Sequence, residues 1–169
     1  MHWMDMTMKF EALLQCLEAI DRELLELREV SEGVDADALG LFDDMEELIG
    51  EGFLRCQLYM IERKGEHRSQ NPFMCGPRHN SHFVAQIINT AGNYRKHRAE
   101  WPFDRARWGP QQLTAAAIFE DAGVVGTSYW PSNLLYCISL SNPPLFGSLV
   151  PRVLEWREAL DEQRARSQA

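Results

Sequence analysis

Hydrophobic positions recur at alternating three- and four-residue steps early in the chain, at Phe10, Leu13, Leu17, Ile20, Leu24 and Leu27, with charges between them. That spacing is the seam of an amphipathic helix and predicts one long helix from about Met6 to Glu29. The seam is short for a free coiled coil, so the helix reads as one rod of a bundle. Ser31-Glu32-Gly33 breaks it. A second helix is predicted from an N-cap at Asp35 to about Arg63, turned inward along Phe42, Met45, Ile49, Phe53, Cys56 and Met60. Gly50 and Gly52 weaken its middle and allow a close helix contact or a bend.

From Gly65 to Asn80 the chain holds two prolines, two glycines and no periodicity, the signature of a long loop, often functional or mobile. The central stretch Ser81 to Trp101 follows. At about 100° per residue, Phe83, Val84, Ile87, Ala91, Tyr94 and Trp101 fall on one face, and Gln86, Asn89, Asn93, Lys96, His97 and Glu100 fall opposite. Pro102 ends this helix, because the residue before a proline is pushed out of the α region. Pro110 opens another, along Gln111, Leu113, Ala117 and Phe119 to Gly123. After Pro131, S-N-L-L-Y-C-I-S-L fits a short helix or a strand. A last helix from about Pro151 turns Leu149, Val153, Trp156 and Leu160 inward. Residues 1–5 and 164–169 are expected to fray. The pattern predicts an all-α fold: a single domain over 1–169, a helical bundle of three long helices closed by shorter ones.

Composition changes this picture little. The 169 residues suffice to bury a core without metal or disulfide, and no apolar run approaches the length needed to cross a bilayer. Asp5 interrupts the first residues, and no small-residue cleavage site follows; a cytoplasmic protein with no membrane association is expected. Cys16, Cys56, Cys75 and Cys137 have no paired spacing and are expected to remain thiols, Cys16, Cys56 and Cys137 as core fillers.

Charge changes it more. The net charge of -8 is badly mixed: residues 1–62 hold 4 Lys/Arg against 16 Asp/Glu, while residues 63–107 hold 9 against 3. Overall acidity argues against general nucleic-acid coating, whose affinity comes from phosphate neutralisation. A basic zone around the central helix survives that objection. The acidic and basic segments also predict a homodimer, or a protein partner, joined through complementary charge.

The candidate chemistry lies in this basic zone. A histidine can move a proton near neutral pH, and a cation or donor can stabilise the charge that develops on a phosphorane. His97 as acid/base, Lys96 as cation and Asn93 as its orienting neighbour one turn earlier form a candidate catalytic set for RNA cleavage. Arg95, Arg98, Arg105 and Arg107 are the candidate substrate-binding residues, with Arg95 and Arg98 leaning toward a helix or subunit seam. The same stripe fits the solvated side of a bundle helix. Trp101, Phe103 and Trp108 interleave with Arg98, Arg105 and Arg107, an arrangement that stacks bases or anchors the connection to the core. Cys75, His79 and His82 have a C-x3-H-x2-H spacing, but no fourth ligand is near, so no metal and no cofactor is expected.

Gly92-Asn93-Tyr94-Arg95-Lys96-His97 resembles the signature of the HEPN family. These are small helical-bundle proteins, many of them metal-independent ribonucleases of toxin–antitoxin and phage-defence systems. The family motif is an arginine, then asparagine or another polar residue, three variable residues and a histidine. Asn93 and His97 match the second and last positions, and Gly92 stands at the arginine position. The resemblance implies a defence-type protein that binds or cleaves RNA or a nucleotide over Asn93, Lys96 and His97, often as a dimer with the motif helices at the interface. The missing arginine implies the alternative, a non-catalytic, antitoxin-like interaction protein. If the chain is an enzyme, the resemblance makes it a metal-independent endoribonuclease.

Overall fold

The computed structural model describes residues 2–64, 71–126 and 128–168, and side chains at 9–63, 71–126 and 128–167. Among the described residues six α-helices make the bundle: α1 (His2–Ser31), α2 (Leu41–Lys64), α3 (Val84–His97), α4 (Pro110–Asp121), α5 (Trp130–Ile138) and α6 (Val150–Gln168). Two two-residue strands, β1 (Arg78–His79) and β2 (His82–Phe83), form an antiparallel hairpin ahead of α3. The fold is all-α, as the periodicity predicts. No described helix is long and apolar enough to cross a membrane.

The seam of α1 is real. Leu13, Leu17, Ile20 and Leu24 are buried, each contributing at most about 1.5–3 kcal/mol of apolar transfer. They face α2, which also carries α3 and α5 and is therefore the hub of the bundle. Ile49, Phe53, Cys56 and Met60 of α2 are buried among Leu134, Leu135, Phe146 and Trp156. Burial pushes the Cys56 thiol up to about 12, so it behaves as an apolar filler.

Several boundaries differ from expectation. Asp35 does not cap α2: its Oδ1 accepts from the Ala38 N–H at 3.1 Å, and it closes a separate turn that ends at Gly40, φ +72°. A helix cannot pass through that left-handed residue, so α2 begins at Leu41. The central helix is also shorter than expected, 14 residues rather than a full run from Ser81 to Trp101, and the 19-residue α6 outlasts it. Its first turn is lost to the hairpin. There Asn80 (φ 51°) donates to the Asp121 carbonyl, and the Ser81 N–H and hydroxyl both donate to the Asp121 carboxylate at 3.1 Å. Its last turn tightens to a 3-10 helix, Arg98–Glu100.

In the loop expected from Gly65 to Asn80, residues 65–70 lie outside the described chain, and the remainder is turns and the hairpin. On α4, Leu113 and Ala117 face solvent, and Ala116, Ile118 and Phe119 go inward. The segment after Pro131 is helix, not strand. The C-terminal end expected to fray is helical through Gln168, and Arg164 donates to the Arg63 carbonyl and to Asp161. At the other end, helix is already present at His2.

Two acidic side chains join distant elements. Asp21 on α1 accepts from the Phe146 N–H at 2.7 Å and the Gly147 N–H at 2.8 Å, capping from outside the 3-10 turn that leads into α6. Glu46 on α2 is 3% exposed and accepts from the Ser132 N–H and hydroxyl in the first turn of α5. Burial raises the Glu46 carboxyl above its ordinary range, and the bonds from Ser132 only partly offset that.

Candidate functional site

The candidate residues of α3 divide between two environments. One is the seam against α2. Gln57 of α2 is fully buried, and its Nε2 donates to the Asn89 carbonyl at 3.0 Å, to Asn89 Oδ1 at 3.0 Å and to Asn93 Oδ1 at 2.7 Å. Gly92 lies under it: a Cβ added there would meet Gln57 Oε1 at 2.6 Å and Gln57 Cδ at 2.7 Å. The position aligned with the motif arginine is thus buried and filled by a side chain of the neighbouring helix. The contact is reciprocal one turn on, where a Cβ on Gly50 of α2 would meet Cδ of Arg95 at 2.6 Å.

Arg95 crosses that glycine to reach Glu47. Arg95 Nη2 is paired with Glu47 Oε2, and Arg98 Nη1 with Glu47 Oε1 at 2.8 Å. Two of the four expected substrate-binding arginines, Arg95 and Arg98, are therefore held at the α2–α3 seam, where the sequence had leaned them. Arg105 pairs with Glu120 at 2.6 Å and lies 5.4 Å from the centre of the Trp108 ring. Arg107 sits exposed in the 3-10 turn Arg105–Arg107.

The other environment is a cleft of about 590 Å³ between α3 and the start of α4, lined by Asn93, Tyr94, His97, Glu100, Trp101, Gln111 and Gln112 among others. Asn93 and His97 share it, and Lys96 and every described arginine lie outside its lining. His97 Nδ1 is 2.9 Å from Glu100 Oε1. The neighbour that orients His97 is thus Glu100 and not Asn93, whose Oδ1 is taken by Gln57. The cleft offers an imidazole, a carboxylate, amides and aromatic rings. Among the described residues it offers no lysine or arginine to a phosphate.

Tyr94 and Trp101 form the inner wall, their ring centroids 4.9 Å apart and their planes at 87°. Both rest on Trp130, and Trp101 also on Trp108. Trp108 and Trp101 thus anchor the connection to the core, one of the two roles foreseen for them, while Phe103 is fully exposed. Burial raises the Tyr94 hydroxyl above its usual value, partly opposed by the Arg98 charge.

The Cys75, His79 and His82 set does not converge. Cys75 donates to the Pro72 carbonyl at 3.3 Å, His79 Nε2 lies 3.0 Å from the Ala122 carbonyl, and His82 Nδ1 lies 3.1 Å from Gln86 Oε1. Among the described residues no group of three or more His, Cys, Asp or Glu side chains is placed to hold a metal ion.

Gln57 and Glu47 escape a reading of the sequence, although each decides what the site can do. Gln57 leaves one signal: it follows Phe53 by four residues, a polar side chain on the inward stripe of α2. Compared with known proteins, the chain matches no family model, no curated protein and no solved structure.

Proposed function

We propose that this chain acts by binding, as a non-catalytic, HEPN-like bundle with a regulatory, antitoxin-like role toward a protein partner in the cytoplasm. The observation that carries this reading is the pairing of Arg95 and Arg98 with a single carboxylate, Glu47. Cleavage of RNA requires cationic or donor groups where phosphorane charge develops, and here the nearest guanidiniums are neutralised by their own bundle. The burial of Gly92 under Gln57 supports the same reading, because an arginine has no room there. A partner surface is available on the acidic half. Leu39, Phe42 and Tyr129 are exposed, the last two in edge contact at 6.4 Å, with Asp37 and Asp43 acting on Tyr129. Such a surface favours a partner that is apolar and basic, and a second copy of the chain meets that description through the exposed Phe103 and Arg107.

The ribonuclease reading rests on one observation, that His97 and Asn93 line the same cleft. Incubation of the protein with RNA in EDTA separates the two. No cleavage above a blank is expected from wild type or from His97→Ala. Cleavage by wild type that His97→Ala abolishes would overturn the binding reading.

A further inference from the structure

We infer that the α3–α4 cleft is a binding site for a small organic ammonium compound, recognised by the perpendicular Tyr94–Trp101 corner and the Glu100 carboxylate. The inference does not rest on the protein-partner reading.

The charge of the lining decides the sign of the ligand. Among the described residues Glu100 is the one carboxylate lining the cleft, and no lysine or arginine lines it. A phosphate or carboxylate ligand would meet the Glu100 charge with His97, itself bonded to Glu100, as the one group able to oppose it among the described residues, whereas a cation meets Glu100 directly. Glu100 Oε1 lies 2.9 Å from His97 Nδ1, and Oε2 has no hydrogen bond among the described residues.

The rings decide its shape. Each aromatic face carries negative electrostatic potential and attracts a cation within about 6 Å of its centroid. With Tyr94 and Trp101 at 87° and 4.9 Å, a compact cation in the corner can touch two rings at once. The corner is also stiff, because Tyr94 is braced by Phe119 and Trp130, and Trp101 by Trp108 and Trp130, so little ordering is required when the ligand arrives.

The cleft is larger than an ammonium head group. At about 590 Å³ it has the size usual for small-molecule sites. Its lining also includes Thr90, Gln111 and Thr114, neutral groups that suit a hydroxyl- or amide-bearing body on the ligand.

Choline is the probe, with 3,3-dimethylbutanol as its uncharged analogue of the same shape and adenosine monophosphate as a flat anion. Each is titrated into the 15N-labelled full chain and followed by two-dimensional NMR. Choline is expected to shift the Trp101 indole and the His97 and Glu100 amides saturably, with the uncharged analogue roughly tenfold weaker. Glu100 is exposed, so Glu100→Gln keeps the fold and should weaken choline several-fold. No saturable shift up to roughly 50 mM choline, a contact energy too small to count as recognition, would overturn the inference. So would equal binding of the uncharged analogue, preference for adenosine monophosphate, or indifference to Glu100→Gln.

Discussion

Glu47 holds Arg98 at 2.8 Å across the α2–α3 seam, and the same carboxylate takes Arg95 with its other oxygen. Two positive charges that a nucleic acid would otherwise meet are thereby neutralised within the protein. The pairs are only partly buried, with 48% of the Glu47 side chain exposed, so their combined worth to stability is about 0–2 kcal/mol. Their larger effect is on the surface potential. Glu47→Gln should lower stability by no more than that in urea denaturation, yet raise retention of RNA at low salt, where phosphate contacts are strongest. Unchanged RNA retention would mean that the arginines remain occupied without Glu47.

Glu46 gives the fold a predictable pH response. Its folded carboxyl is raised by burial, so between the ordinary carboxylate range and that raised value the folded state holds a proton the unfolded state has lost. Stability must therefore fall as pH rises through this window. Glu46→Gln keeps an acceptor for Ser132 and removes the titration. Its stability should be flatter over the same window in thermal melts at stepped pH, and an unchanged slope would assign the dependence to other groups.

Asp21 is expected to matter more than its place on an amphipathic helix suggests. It accepts two backbone N–H groups of the turn that starts α6, and charge-assisted bonds of this kind contribute about 1.5–3 kcal/mol each. Asp21→Ala should destabilise the protein by at least about 2 kcal/mol, read as a lower urea midpoint. A loss under about 0.5 kcal/mol, the level of an ordinary surface substitution, would show that water replaces the carboxylate.

The charge asymmetry of the chain makes a prediction about assembly. With its acidic first 62 residues and basic next segment, the 19.5 kDa chain is expected at twice that mass by light scattering at low salt. The mass should fall toward one chain as salt screens the attraction. One-chain mass at every micromolar concentration would remove the homodimer and leave a different protein as the partner.

The helices were legible in the sequence because local periodicity encodes them. The seam from Phe10 to Leu27 and the inward set Val153, Trp156 and Leu160 needed no knowledge of their neighbours. Boundaries set by single left-handed residues were less so: Asp35 looks like a cap until Gly40 is known to turn the chain. The candidate site was least legible, because its chemistry depends on who faces α3. A helical projection places Asn89, Asn93 and His97 on one polar stripe, but it cannot reveal that Gln57 takes the first two and Glu100 the third. Likewise the lean of Arg95 toward a seam is readable, but its partner there, Glu47, reached past Gly50, is not.

The central claim is that the motif-like turn of α3 is built into a helix seam, with Gly92 kept small by Gln57. A double-mutant cycle in urea tests it most directly. A Cβ at 2.6 Å from Gln57 Oε1 forces overpacking, so Gly92→Ala should cost about 1–3 kcal/mol in the wild-type background. In the Gln57→Ala background the space is open and the same substitution should be neutral or stabilising, since alanine favours helix over glycine by about 1 kcal/mol. An equal cost of Gly92→Ala in both backgrounds would contradict the account.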